Sequence, residues 1–293
     1  MALLPFDVPE LLSMGHCGAA EELPGPPPPI ADQAAAEQEV RRFLADRGLL
    51  RLPAWLRRYR FAPMPDHLAP LAWLGITDDL TSASRLDEDA VSYVPPPGTE
   101  LPYFDLANHY DPRLGIAHEG AHYYQLAMSW ANPRPARRRY YDSAPNEGLA
   151  CYLEGLLAEH GLYARHPWSY AWVHRTRRLR QIRLAVDVGL ACGSMDAAEA
   201  VHILEERAGV DPATAREEAF FFASHPGQAL SYEVGRTQVA ALVADAGPSL
   251  DLGTLWSNGN VPIALLRWEL LGDRCDRLFA PGVPAGETGR RAG

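Results

Sequence analysis

The chain has 293 residues, of which 47% are apolar, so it is large and apolar enough to bury one sizeable core. Its formal net charge of −10 argues against general binding to nucleic acid or to an anionic membrane. All 27 basic residues are arginine, and the absence of lysine excludes Schiff-base chemistry and P-loop phosphate binding.

The first third of the chain is predicted to hold few regular elements. Residues 1–32 are predicted to form an arm that ends in a proline-rich linker, and a helix is predicted over 33–47. Short strands are expected at 91–94 and 103–104. Together with the helices below, these elements predict one mainly α domain over 33–280 and a flexible tail over 281–293.

The N-terminus and the cysteines favour a cytoplasmic location. The first residues include Asp7 and Glu10 and no basic segment, which is not the pattern of a signal peptide. No apolar stretch reaches the ~18 residues of a membrane span. The four cysteines show neither metal-knuckle nor disulfide spacing and are predicted to be reduced thiols: Cys17, Cys151, Cys192 and Cys275.

A helix predicted from Pro112 to Asn132 carries the most informative motif of the sequence. Asp111 is its predicted N-cap, and His118-Glu119-Gly120-Ala121-His122 lies in its middle with H-E-x-x-H spacing. Residues four apart share one helix face, so both imidazoles can bind one ion while Glu119 acts as a general base. The alternative is that the histidine pair merely fills the surface or the core of an amphipathic helix.

A second predicted helix, capped by Asp142 or Ser143, carries a candidate third ligand. Glu147 lies in its first turn, and glutamate-type zinc hydrolases complete a His-His-Glu site from the helix that follows the histidines. Glu154 and Glu159 are less well placed alternatives. A glutamate in a first turn is also common simply because it complements the helix dipole.

The rest of the chain is predicted to be helical. Helices are expected over 168–192, over 197–206, from Pro212 onward, over 228–244 and over 261–271.

Four segments carry motifs that are specific as a set. They are His118-Glu119 with His122 to Gln125 (H-E…H-Y-Y-Q), Glu147 to Glu154 (E-G-L-A-C-Y-L-E), Arg183 to Leu190 (R-L-A-V-D-V-G-L) and Pro226 to Arg236 (P-G-Q-A-L-S-Y-E-V-G-R). In this order, from residue 103 to about 271, they resemble the catalytic C-terminal half of the bacterial domain-of-unknown-function family 885. The resemblance implies a zincin-like, gluzincin-type helical metallohydrolase with a few short strands near the site.

Two features depart from the family pattern. The family usually has H-E-x-x-P-G-H, which is two residues longer than the H-E-x-x-H of this chain. Its D-T-G-I/L segment is followed by a histidine expected to face the site, and this chain has Ala191 there. These departures favour a specialised relative that acts on one small molecule over an ordinary peptidase.

Two residues of the last family-like segment are predicted to contact the substrate. Tyr232 is a candidate hydrogen-bond donor to a developing oxyanion, and its alternative role is that of a buried core tyrosine. Arg236, one helical turn later, is a candidate ligand for a substrate carboxylate, and its alternative role is an internal ion pair.

Four residues are predicted in supporting roles. Asp187 and Glu154 are expected to accept hydrogen bonds from the ligand imidazoles, although Asp187 could instead pair with an arginine. His109 and His225 could replace the missing histidine of position 191 in substrate binding, or be loop histidines.

The predicted function is zinc-dependent hydrolysis of an amide bond in a short peptide or acylated amino acid, in bacterial secondary metabolism. His118, His122 and Glu147 are predicted to hold one Zn²⁺, and no nucleic-acid or membrane partner is expected. Two alternatives stay open. The same ligands could hold Fe²⁺ or Mn²⁺ for oxygenation or elimination, against which Glu119 argues. The chain could also be a catalytically silent binding relative, which the loss of the histidine at position 191 favours.

Overall fold

The structure is a computed structural model, and it describes residues 6–272 apart from 16, 18–21, 26–31, 75, 79–81, 96–100, 102 and 140. Within these residues the chain is mainly helical, as predicted. The helices are α1 (Val8–Met14), α2 (Gln33–Asp46), α3 (Tyr103–Tyr110), α4 (Pro112–Gly115), α5 (Ala121–Trp130), α6 (Pro135–Arg139), α7 (Ser143–Glu159), α8 (Pro167–Ala191), α9 (Ala197–Ile203), α10 (Pro212–Ser224), α11 (Leu230–Ala246), α12 (Leu252–Ser257) and α13 (Ile263–Leu271).

Helices α4 and α5 are two parts of one longer helix, here named the HEGAH helix, over residues 112–130. A single π-helical turn, Ile116–Gly120, joins them and contains His118 and Glu119. Asp111 caps the helix by accepting a hydrogen bond from the backbone N–H of Arg113 at 3.1 Å. Because π-helical turns inside α-helices occur frequently at functional sites, the residues of this turn are candidates for a functional role.

Helix α7 begins where the sequence predicted, and it packs most extensively on α11. Asp142 caps it by accepting a hydrogen bond from the N–H of Ala144 at 2.9 Å. Gly148 and Gly235 lie at the crossing of the two helices, where a Cβ atom on Gly148 would come within 2.5 Å of the Gly235 carbonyl carbon. The two backbones are therefore in direct contact, which only glycine permits.

A small three-stranded sheet lies beside the HEGAH helix. It consists of β1 (Tyr59–Pro63), β2 (Ile76–Asp78) and β3 (Ala90–Val94), in the order β1-β3-β2, with β1 parallel and β2 antiparallel to β3. The ring of Tyr59 stacks on that of Tyr123 with 6.5 Å between centroids, which ties the sheet to the helix next to His122.

The strand predicted at 91–94 is present, but the strand predicted at 103–104 is wrong. Those two residues begin α3, because Tyr103 and Ala107 lie one turn apart and together bury one helix face. Strands β1 and β2 were not predicted from the sequence.

Part of the predicted N-terminal arm is an ordered helix. Leu11 of α1 is buried against Leu184 and Val188 of α8 and Val234 of α11, so α1 is docked on the helical core. Residues 26–31 of the predicted linker, the predicted tail 281–293 and Cys275 lie outside the described residues. Among the described helices, none is long and apolar enough to cross a membrane.

Candidate metal centre

His118, His122 and Glu147 converge on one point inside the protein. The Nε2 atom of His118 lies 3.4 Å from Oε2 of Glu147, and the Nε2 atom of His122 lies 3.5 Å from the same oxygen. The two imidazole rings have their centroids 4.8 Å apart and are inclined at 79°. One ligand atom from each residue thus lies within 4.8 Å of the others, which is the spacing that a single bound metal ion requires.

Two buried polar atoms of these residues have no hydrogen-bond partner within the described structure. One is Oε2 of Glu147, which faces both Nε2 atoms, and the other is Nδ1 of His122, on the edge of the ring away from Glu147. Burial raises the pKa of Glu147, but His122 and His118 outweigh it and hold that pKa well below its usual range. A buried, ionised carboxylate facing two imidazole nitrogens fits a cation.

His118 makes a second set of contacts through its other nitrogen. Its Nδ1 atom lies 3.1 Å from Oε1 of Glu154, and the guanidinium of Arg180 binds both carboxylate oxygens of Glu154. Burial raises the pKa of Glu154, but Arg180 and His118 lower it more, to about 2. The structure therefore places Glu154 beside Nδ1 of His118, on the opposite edge of the ring from Glu147, and its role toward a metal stays a prediction.

A cavity of about 40 Å³ adjoins His118 and Glu119. Its lining residues all belong to helical segments: Phe104, Ala107, Asn108, Leu114, Gly115, His118, Glu119, Glu154, Trp172, Val173, Thr176 and Arg180. This volume suits roughly one water molecule, whose share of the liquid is about 30 Å³. Since only helical residues line this cavity, the short strands expected beside the site do not contribute to it.

Glu119 is half-buried at this cavity, and a second carboxylate lies near it. Burial raises the pKa of Asp105, on α3, to about 6, and the charge of Glu119 adds to the effect. Negative charge is therefore concentrated on the α3 side of the HEGAH helix.

Tyr232 lies at the start of α11, close to the convergence point. Its ring is 5.8 Å from the guanidinium of Arg180 and 5.5 Å from that of Arg183. Burial and the charge of Glu147 raise the pKa of its phenol well above the usual range, so the hydroxyl keeps its proton. Its role as an oxyanion donor stays a prediction.

Arg236 does not point to the same site. Its guanidinium donates to both carboxylate oxygens of Glu233, at 2.9 and 2.6 Å. These contacts are the internal ion pair named above as its alternative role. It lines a different cavity of about 300 Å³, which Glu154 and Arg180 separate from the cavity beside Glu119. The prediction that Arg236 shares the site of Tyr232 is therefore corrected.

Asp187 also differs from both of its predicted roles. Its carboxylate accepts hydrogen bonds from the backbone N–H groups of Gly227 and Ala229, each at 2.8 Å. Its observed partners are neither an imidazole nor an arginine. Because Gly227 has a φ of +91°, this segment is a tight turn, and Asp187 holds it in place before α11.

The two histidines proposed as replacements are exposed and lie away from the cavity lining. His109 contacts Tyr110, and His225 stacks on Phe221 with ring centroids 4.7 Å apart. Ala191, at the position of the family histidine, is the exposed last residue of α8. The expectation that this position faces the site is therefore wrong.

Arg180 was missed in the sequence, although it contacts Glu154 and lies 3.2 Å from Nδ1 of His118. The sequence does contain a pattern that indicates a buried role for Arg180. Arg180, Arg183 and Asp187 recur at spacings of three and four residues, beside the buried Leu179 and Ile182, and all three are buried. Charged residues repeating on a buried helix face indicate an internal polar network.

Comparisons with known proteins agree with this architecture. A model of a bacterial protein family of unknown function, DUF885, matches residues 85–270, more than half of the chain. A candidate lipoprotein from Colwellia psychrerythraea matches with a TM-score of 0.67 and 20% identity over 90% of this chain. A candidate lipoprotein of unknown function from Shewanella oneidensis matches with a TM-score of 0.62 and 16% identity, again over 90% of this chain.

At these identities the likeness establishes the fold alone. The matches cover 46% and 48% of the two solved chains, so this chain spans about half their length. No curated protein matches the sequence.

Proposed function

We propose that this chain, which belongs to the bacterial DUF885 family, is a zincin-like metallohydrolase of the glutamate type. Its reaction would be hydrolysis of an amide or peptide bond in a short peptide or acylated amino acid. The observation that carries this proposal is the convergence of His118, His122 and Glu147, with a buried Glu147 oxygen that has no hydrogen-bond partner.

The donor set suits zinc. Two imidazole nitrogens and one carboxylate oxygen are the three protein ligands of many catalytic zinc sites, in which the fourth position stays open. Zinc, when bound there, would lower the pKa of water to near neutrality and polarise a carbonyl group. The proposed ligands come from the HEGAH helix and from α7, which contact each other, so they would be brought together before a metal binds.

Glu119 is the proposed general base. It follows His118 directly in the HEGAH helix and lines the same cavity. His122 and Glu147 do not line that cavity, so the attacking water is proposed to bind at the metal and not in the cavity. Glu119 would accept a proton from that water and deliver it to the leaving amine.

Tyr232 is the proposed donor to the oxyanion. Because burial and Glu147 raise its pKa, the phenol remains protonated at neutral pH and can donate a hydrogen bond to a developing negative oxygen.

The cytoplasmic location expected from the sequence stays a prediction.

The substitution Glu119→Gln tests this function. It removes the base without removing a ligand, so zinc content should stay at the wild-type level while turnover falls by about 10²–10⁴-fold. The assay would measure amine release from a panel of dipeptides and N-acyl amino acids. Glu159→Gln, on an exposed residue at the end of α7, is the matched control and should keep wild-type turnover.

Other outcomes would decide against hydrolysis. Full turnover in Glu119→Gln would show that the base is not needed, and native iron in place of zinc would favour the oxygenation or elimination alternative. Substrate binding without turnover in the wild type would favour the silent binding relative.

A further inference from the structure

His118 is contacted by a carboxylate on each side of its ring. Nε2 lies 3.4 Å from Glu147, and Nδ1 lies 3.1 Å from Glu154. A neutral imidazole has one N–H group, so the group beside Nδ1 decides whether Nε2 keeps a free lone pair. The environment of Nδ1 thus determines whether His118 can bind a metal through Nε2.

Glu154 is itself held in one orientation by Arg180. One guanidinium nitrogen donates to Oε2, and the other donates to Oε1 at 3.1 Å. The residues are only 8% and 4% exposed, so these bonds are largely shielded from bulk solvent. A planar guanidinium that binds a carboxylate through two parallel bonds fixes its direction, and here Oε1 is directed at His118.

Two positions of the His118 proton have to be compared, because Arg180 Nη2 also lies 3.2 Å from Nδ1. If Nδ1 accepted a hydrogen bond from Arg180, its lone pair would face the lone pairs of Glu154 Oε1 at 3.1 Å. If Nδ1 carries the proton, it donates to Glu154, and Arg180 keeps both of its bonds to the carboxylate. The second arrangement avoids this opposition of acceptors and leaves the Nε2 lone pair free for a metal, but it requires the Arg180 N–H directed at Nδ1 to turn away.

We propose that Glu154 and Arg180 are positioning residues that keep a proton on Nδ1 of His118, so that Nε2 faces Glu147 as a ligand. This inference rests on the proposed metal centre and assigns the residues that control its affinity. Loss of such an outer hydrogen bond to a metal-binding histidine typically weakens metal binding by about 10–100-fold.

The substitution Glu154→Gln tests the proposal with little change of shape. The amide can present either an acceptor or a donor to Nδ1, so it no longer dictates where the proton lies. The matched control is Glu233→Gln, which makes the same change in the partly buried Glu233–Arg236 pair on α11. Zinc dissociation constants would be measured by competition with a chelator of known affinity. We expect 10–100-fold weaker binding for Glu154→Gln and about wild-type binding for the control.

A second measurement locates the proton directly. In protein with ¹⁵N-labelled histidine, the His118 signals would be assigned by their loss in His118→Gln. Zinc-loaded wild type should show a proton on Nδ1 and none on Nε2. Arg180→Lys, which keeps one donor to Glu154, should retain this pattern with an intermediate zinc affinity.

The proposal is overturned if Glu154→Gln and its control bind zinc equally well, or if Nδ1 of His118 lacks a proton in the zinc-loaded protein. If Glu154→Gln fails to fold, the affinity and spectrum of Arg180→Lys decide by the same criteria. A wild type that binds no zinc would refute the proposed function. Equal zinc binding by the wild type, Glu154→Gln and the control would leave the proposed function standing and refute the positioning role alone.

Discussion

The crossing of α7 and α11 gives a sharp stability prediction, because it brings two helix backbones into contact beside the site. The substitution Gly148→Ala would place a Cβ atom 2.5 Å from the Gly235 carbonyl carbon and 2.8 Å from its Cα. Ordinary van der Waals contact begins at 3.4 Å, so the shortfall is about 1 Å. The obstacle is backbone and cannot rotate away, so the helices must move apart.

The expected cost follows from two opposing effects. Overpacking of this kind destabilises by about 1–3 kcal/mol, and backbone against backbone belongs at the upper end of that range. Alanine favours the helix by about 1 kcal/mol relative to glycine. The net loss is therefore about 2 kcal/mol, which corresponds to a fall in Tm of about 4–8 °C for a chain of this size. Glu147 precedes Gly148 directly, so zinc affinity should fall as well.

Gly155→Ala is the matched control, because it lies two turns later on the same helix with nothing within 4 Å of its added Cβ. It should be neutral or stabilising by up to about 1 kcal/mol. Thermal unfolding of both variants, followed by circular dichroism, is the assay. Equal stability of the two variants would refute the close contact between α7 and α11.

Two further predictions concern residues beside the metal centre. Tyr232→Phe should lower turnover by about 10²–10³-fold with unchanged zinc content, because one oxyanion donor is lost, and an unaltered rate would remove Tyr232 from the reaction. The pKa of Asp105 is raised to about 6 in the folded protein from 3.8, so the wild type loses stability as pH rises from about 4 to 6. Asp105→Asn abolishes this loss. Measured by urea unfolding, the free energy of unfolding of Asp105→Asn relative to the wild type should increase by about 1–2 kcal/mol from pH 4 to pH 7.5. An equal difference at both pH values would contradict the assigned pKa.

Local sequence signals located the helices and the three converging residues. Asp111-Pro112 and Asp142 mark helix starts by short-range capping, which depends on few neighbours and is readable in the sequence. The spacing of His118 and His122 fixes a shared helix face, and Glu147 follows from its place in the first turn of α7. That these three residues bind a metal stays a prediction until a metal is measured in the protein.

Long-range contacts were not readable in the same way. Asp187 and Arg180 lie on one helix among several charged residues, and their partners come from other elements: Gly227 and Ala229 for the first, Glu154 for the second. The segment at Tyr103 has aromatic residues suited to a strand, yet its tertiary packing makes it helical.

The metal content of protein purified without added metal tests the central claim most directly. We expect about one zinc per chain in the wild type, and none in His122→Ala or Glu147→Ala, since each removes one of three ligands. Glu159→Ala, on the exposed end of the same helix as Glu147, should keep its zinc. A wild type that contains no metal and binds none when zinc is supplied would contradict the proposed centre, as would zinc retained in both ligand variants.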